Sequence, residues 1–212
     1  MTIRILIADD HRVVSEGLSM FISAEKDLEV VACAPDGRAA VRVAAKLNPD
    51  IILMDHLMPG LNGIEATGII RARLPETRVI VLSMYSDAIH VCRALQAGAS
   101  GYVVKRSAGR EVTQAIRTVC SGHRYLSKRL AEAVIDRYLD GGEDPLDRLS
   151  SRERQVLQMM AEGNSVADIA TDLALSPKTV ETYRARMMQK LAIRDLANLV
   201  RFAIQRGIAA LD

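Results

Sequence analysis

Three carboxylates, a hydroxyl and an ammonium close a series of apolar runs in the first half of this chain. The run Ile5, Leu6, Ile7, Ala8 ends in two adjacent acids, Asp9 and Asp10. "IILM" ends at Asp55, "VIVL" at Ser83 and "GYVV" at Lys105. Neighbouring like charges repel, so acids placed side by side call for a cation between them. Three carboxylates with further oxygen donors suit a hard divalent ion such as Mg²⁺, which takes carboxylate, water and phosphate oxygens. A carboxylate is also a nucleophile toward a phosphoryl group. An Mg²⁺, a lysine and a hydroxyl around it would bind the phosphoryl oxygens. Any one acid at such a position reads as a turn or cap residue; the set at successive run ends is what points to a site.

The elements that must position these groups are strands alternating with helices. "IRILIA", "LEVVACA", "DIILMD", "RVIVLS" and "SGYVVK" are short, β-branched and apolar, as strands buried on both faces of a parallel sheet are. Helical spacing fills the gaps: Val14, Leu18, Phe21 and Ile22 share one helix face. Gly98 and Gly122 fall just past helix ends. Five strands and five helices over residues 1–125 predict a doubly wound α/β domain. Open parallel sheets bind ligands at the carboxyl ends of their strands, which brings Asp9, Asp10, Asp55, Ser83 and Lys105 to one edge.

Residues 126–148 break the alternation. "SKRLAEAVIDRYL" predicts a helix, and the acidic "YLDGGEDPLDR", with Gly-Gly and Pro, reads as a linker. Residues 149–212 carry no strand signal and predict an all-α four-helix domain. Ser150 with Glu153 forms a capping box, and Ser176 followed by Pro177 opens a later helix. Gly163 and Gly207 are stops, and Asp195 caps the last helix. "ALSPK" makes a short turn between the second and third helices, as in a helix-turn-helix. The third helix has Val180, Met187 and Leu191 on its apolar face. Its other faces hold Lys178, Thr179, Thr182, Tyr183, Arg184, Arg186 and Lys190. Over residues 176–194 five basic residues face one acid, Glu181, so a polyanion is drawn here.

Composition narrows the classes. The 212 residues are 49% hydrophobic and 25% charged, ordinary for a globular protein, with no apolar run near the ~20 residues that cross a bilayer. A cytoplasmic protein without a membrane partner is expected. Cys33, Cys92 and Cys120 are odd in number and set in apolar contexts, as buried thiols would be. The four histidines have no zinc-ligand spacing.

"ILIADDH", "ILMDHLMPGLNGIEA", "VLSMYSD" and "GYVVKR" resemble the receiver domain of two-component response regulators over about residues 3–122. The resemblance implies a flavodoxin-like sheet of order 2-1-3-4-5. It makes Asp55 the phosphoacceptor for a sensor histidine kinase. Asp10, Asp55 and the Leu57 backbone carbonyl would ligate Mg²⁺, with Asp9 acting mainly through water. Ser83 and Lys105 would bind the phosphoryl oxygens, and Tyr102 would be the aromatic switch that turns inward. Three positions depart from the pattern. His56 stands where an apolar residue is usual and reads as a partly exposed loop side chain. Arg106 stands where many receivers have proline, and a cis bond there would cost ~3–4 kcal/mol without it. Leu57 and Tyr85 are bulky beside the phosphoryl site, which would impede water and lengthen the life of a phosphoryl-aspartate.

Residues 149–208 resemble the LuxR-type helix-turn-helix of the NarL/FixJ response regulators. That implies that the helix from Pro177 to Leu191 enters the major groove. Glu181, Thr182 and Ala185 would face bases, while Lys178, Thr179, Arg184 and Lys190 would mostly hold phosphates. Tyr183 replaces a frequent histidine, and Leu196 to Arg206 would supply a dimer contact. The expected function is a DNA-binding transcriptional regulator, not an enzyme. Phosphorylation would release the helix-turn-helix and promote a homodimer on double-stranded promoter DNA, with RNA polymerase a candidate partner. A Mg²⁺-dependent phosphatase using Asp55 would share the acids but not explain the basic helix. A constitutive DNA-binding protein would not explain the acids.

Overall fold

In the computed structural model, residues 2–139 and 144–209 are described. The chain divides into two compact units, Met1–Met58 with Gly63–Gly142, and Glu143–Asp212 with the short segment Pro59–Asn62.

The first unit is a parallel sheet flanked by helices. Its strands are β1 (Ile3–Ala8), β2 (Leu28–Ala34), β3 (Ile51–Asp55), β4 (Arg78–Ser83) and β5 (Gly101–Val104). A short sixth strand, β6 (Tyr125–Leu126), pairs parallel with β5 and extends the order to β2-β1-β3-β4-β5-β6. The helices are α1 (Arg12–Ser23), α2 (Gly37–Leu47), α3 (Gly63–Arg73), α4 (Ala88–Gln96), α5 (Ala108–Cys120) and α6 (Lys128–Leu139). Ile51, Ile52, Leu53 and Met54 of β3 are all fully buried. This is why the run is continuous rather than alternating: helices cover both faces, and each fully buried Ile, Leu or Met contributes roughly 1.5–3 kcal/mol. One face packs Ile5, Leu53 and Leu82 against Leu18 and Ile22 of α1 and Val112 and Ile116 of α5.

The sheet therefore differs from the five-stranded expectation by the edge strand β6. Its residues Tyr125 and Leu126 register with Gly101 and Tyr102 of β5, and α6 then packs against α4. Leu18 and Ile22 of α1 are buried as expected, but Phe21 is 56% exposed because it lies at the margin of that face, near Gly109. The cysteines are free but not buried thiols: Cys33 is exposed on β2, and Cys92 and Cys120 are half-buried. No cis peptide bond occurs among the described residues, and Lys105–Ser107 instead form a 3-10 turn leading into α5.

The second unit has a 3-10 turn at Pro145–Arg148, then α7 (Ser151–Ala161), α8 (Val166–Asp172), α9 (Pro177–Leu191) and α10 (Leu196–Gln205). The starts follow the sequence signals. Ser150 with Glu153 forms the expected reciprocal capping box, and Ser165 with Asp168 forms a second one, at the start of α8, that the sequence reading does not single out. Ser176 accepts from the Thr179 N–H ahead of Pro177, and Asp195 accepts from the Asn198 N–H. The core is built from Val156, Leu157, Ile169, Val180, Met187 and Leu199. Of the linker stretch 138–148, residues 140–143 lie outside the described residues. No helix among the described residues is long and apolar enough to cross a membrane.

Candidate functional site

The parallel sheet delivers its acids where the run ends lie. β1 ends at Ala8, so Asp9 and Asp10 follow directly, and Asp55 is the last residue of the neighbouring strand β3. Ligand atoms of Asp9, Asp10, His11 and Asp55 all lie within 4.8 Å of one another. Lys105, just past β5, places its ammonium 2.9 Å from Asp9 Oδ2 and 2.8 Å from Asp55 Oδ2. The His11 N–H donates to Asp9 Oδ1 at 2.9 Å, and His11 Nδ1 lies 2.8 Å from Asp10 Oδ1.

The electrostatics follow from burial. Asp9 and Asp55 are each only 4% exposed. Burial pushes the Asp55 carboxyl up to about 7; Lys105 opposes this and the charge of Asp9 adds to it. Burial alone would lower the Lys105 ammonium, but Asp55 and Asp9 more than offset it, so Lys105 stays raised and charged. One lysine against several acids leaves the cluster short of positive charge. The donor set is all carboxylate oxygen apart from His11, which fits a hard divalent cation. A glycine makes the approach possible: a Cβ on Gly63 would run into the Asp55 backbone carbonyl, and the Gly63 N–H bonds the His56 carbonyl at 2.9 Å.

Ser83 and Tyr102 form a second group beside the first. Ser83 Oγ accepts from the Tyr85 N–H at 3.1 Å and lies 3.0 Å from His56 Nδ1. Tyr102 is fully buried, its hydroxyl donates to the Tyr85 carbonyl at 2.9 Å, and burial raises its pKa. Leu57 and Tyr85 are half-buried. His56 is 1% exposed, which overturns its reading as a partly exposed loop side chain. It is covered because the rings of Tyr85 and His90 close over it, with centroids 5.6 and 5.2 Å away. Sequence reasoning did not place His11 in the acidic group. The run "DDH" was the available signal.

In the second unit, α9 turns Lys178, Glu181, Thr182, Ala185, Arg186 and Lys190 outward. Thr182 donates its hydroxyl proton to the Lys178 carbonyl, and the Thr179 hydroxyl lies 2.8 Å from that of Ser176 in the helix cap. Arg184 pairs with Glu181 at 3.3 Å. Lys190 differs from its neighbours: its ammonium donates to both carboxylate oxygens of the buried Glu153, at 2.9 and 2.6 Å. Burial works against the Glu153 charge, but the bonds from Lys190 and Ser150 hold its pKa low.

Residues 5–117 match the family described as "Response regulator receiver domain", and residues 147–203 match "Bacterial regulatory proteins, luxR family". The chain belongs to the two-component response regulators of the NarL/FixJ type, which are DNA-binding transcriptional regulators. It is 35% identical to the oxygen regulatory protein NreC of Staphylococcus haemolyticus over 97% of this chain and 98% of that one. A LuxR-family two-component response regulator from Aurantimonas sp. SI85-9A1 is similar in structure. It has a TM-score of 0.62 and 37% identity, and the match covers 66% of this chain and 99% of that one. An RcsB–DNA complex matches 95% of this chain and 98% of its own, with a TM-score of 0.59 and 25% identity.

Proposed function

We propose that Asp55 accepts a phosphoryl group from the phosphohistidine of a sensor kinase and that this event switches the DNA-binding unit on. The observation that carries the reading is Lys105 bridging the buried carboxylates of Asp9 and Asp55, with the exposed Asp10 beside them. In the transfer, a carboxylate oxygen of Asp55 attacks phosphorus. The P–N bond of the donor breaks as the P–O bond forms, and the kinase imidazole regains a proton. Asp10, Asp55 and the Leu57 carbonyl would hold Mg²⁺, with Asp9 acting through water. The ion, when bound, supplies positive charge toward the phosphoryl oxygens. Lys105, freed from sharing two carboxylates, swings its ammonium to the transferred group. Ser83 donates its hydroxyl proton to another phosphoryl oxygen, and Tyr102 keeps the inward position as Ser83 moves.

The output is DNA binding by residues 149–212 in the cytoplasm. The N-terminal half of α9 enters the major groove of promoter DNA, with Glu181, Thr182 and Ala185 toward bases. Lys178, Thr179 and Arg184 hold phosphates, and phosphates are favoured at a helix N-terminus. Lys190 holds Glu153 and would release it to reach a phosphate. Phosphorylation frees the helix-turn-helix and favours a homodimer on paired half-sites, which would present the promoter to RNA polymerase.

The test is intact mass after incubation with Mg²⁺ and a small phosphoryl donor, wild type beside Asp55→Asn, with DNA binding assayed on the same samples. The expected result is one added phosphoryl group, absent from the variant, together with tighter DNA binding. Uptake that leaves DNA binding unchanged would remove the switch, and uptake by Asp55→Asn would remove the acceptor.

A further inference from the structure

The first unit buries two histidines to which the phosphoryl-transfer reading gives no task. His56 is 1% exposed and His90 is 3% exposed. They lie within one ring cluster: Tyr85 and His90 stack at 4.4 Å with 14° between their planes, and both meet His56 edge-on. His90 is fixed from behind. Asp87 caps α4, and its carboxylate oxygens lie 2.7 and 2.8 Å from His90 Nδ1. A carboxylate at that distance calls for a proton on Nδ1. The His90 Nε2 is buried without a hydrogen-bond partner among the described residues.

The point of this cluster is what His56 touches. Its Nδ1 lies 3.0 Å from Ser83 Oγ, and the Tyr85 N–H occupies another site on the same oxygen. A hydroxyl has one proton and two lone pairs, so these two contacts engage two of its three bonding sites, and the Tyr102 hydroxyl also interacts with it. Ser83 makes no hydrogen bond to Asp55 or Lys105 among the described residues. Whichever of the two atoms donates, the His56 contact engages the hydroxyl that a phosphoryl group on Asp55 would need.

We propose that His56 is a positioning residue that latches Ser83, so that a phosphoryl group on Asp55 must compete with the imidazole for the Ser83 hydroxyl. The inference rests on the proposed role of Asp55.

The experiment is calorimetric titration of the full chain with fluoroberyllate and Mg²⁺, a stable mimic of the phosphoryl group. The variants are His56→Leu, His56→Asn, Ser83→Ala and the His56→Leu/Ser83→Ala pair. Losing one neutral hydrogen bond should tighten His56→Leu by about two- to tenfold. His56→Asn, which presents a polar atom near the position of Nδ1, should stay close to wild type. With Ser83→Ala already present, His56→Leu should change nothing, a result that a purely packing role would not give. Binding equal to or weaker than wild type in His56→Leu, or a gain that persists without Ser83, overturns the latch. If His56→Leu fails to fold, His56→Met carries the same expectation. The parent reading fails differently: wild type that binds no fluoroberyllate, or binding that survives Asp55→Asn, removes the acceptor and the latch with it.

Discussion

Lys105 and Lys178 both meet phosphate in the proposed function, and they are prepared for it in opposite ways. Lys105 has a side chain 13% exposed, already engaged by two carboxylates that come from two other strand ends. Lys178 is exposed on the first turn of α9. The acidic site concentrates charge in a buried place where every group depends on the others. The basic helix spreads charge over a surface where each group is nearly independent. Losses in the first region should thus appear as stability and protonation, and losses in the second as salt-dependent binding.

The largest effect should come from Lys105→Ala. It leaves Asp9 and Asp55 buried without their cation, a loss of about 3 kcal/mol measured by urea unfolding in chelator above pH 7. Mg²⁺ should return part of it. A change under about 0.5 kcal/mol would place this pocket on the same footing as an exposed surface.

Next comes the pH dependence of Asp55. Its folded pKa of about 7 stands above the ordinary 3.8, so across that interval the native state keeps a proton that the unfolded chain has lost. Its contribution is therefore fully present below the lower value and declines as pH rises through the window, by roughly 2–4 kcal/mol without Mg²⁺. Asp55→Asn should flatten that part of the stability curve; a curve parallel to wild type would remove Asp55 as its source.

Lys190 sharpens the comparison because it sits on the basic helix yet serves a buried acid. Lys190→Ala should lower the stability of the DNA-binding unit by about 1–2 kcal/mol, read by thermal unfolding. The smallest stability effect belongs to Lys178→Ala, within about 0.5 kcal/mol. That variant should instead weaken binding to many DNA sequences alike and lower the salt slope by about 0.9. Loss on one sequence alone would mean that Lys178 reads a base.

The two regions also differ in how far the sequence discloses them. The caps of α7, α9 and α10 lie within three residues of their targets, so Ser150, Ser176 and Asp195 could be read directly. The strand ends at Asp9, Asp55, Ser83 and Lys105 were legible because fully buried strands leave an abrupt polar boundary. His56 was misread because its cover comes from Tyr85 and His90, about thirty residues away, and no local pattern records that. β6 was missed because two residues are too few to show alternation; the open edge of β5 recruits them. Cys33 looked apolar by context, yet it lies on β2, an edge strand that leaves it exposed.

That short strand bears on where this protein can be cut and rejoined. The receiver match ends at residue 117, inside α5 and ahead of β6. A chimera spliced there would discard the neighbour of Gly101 and Tyr102 and leave β5 with a bare margin, open to pairing with another copy. A junction placed after α6 would carry the receiver to a new output with β5 still paired to β6. The natural seam of this module thus lies some twenty residues beyond its apparent end.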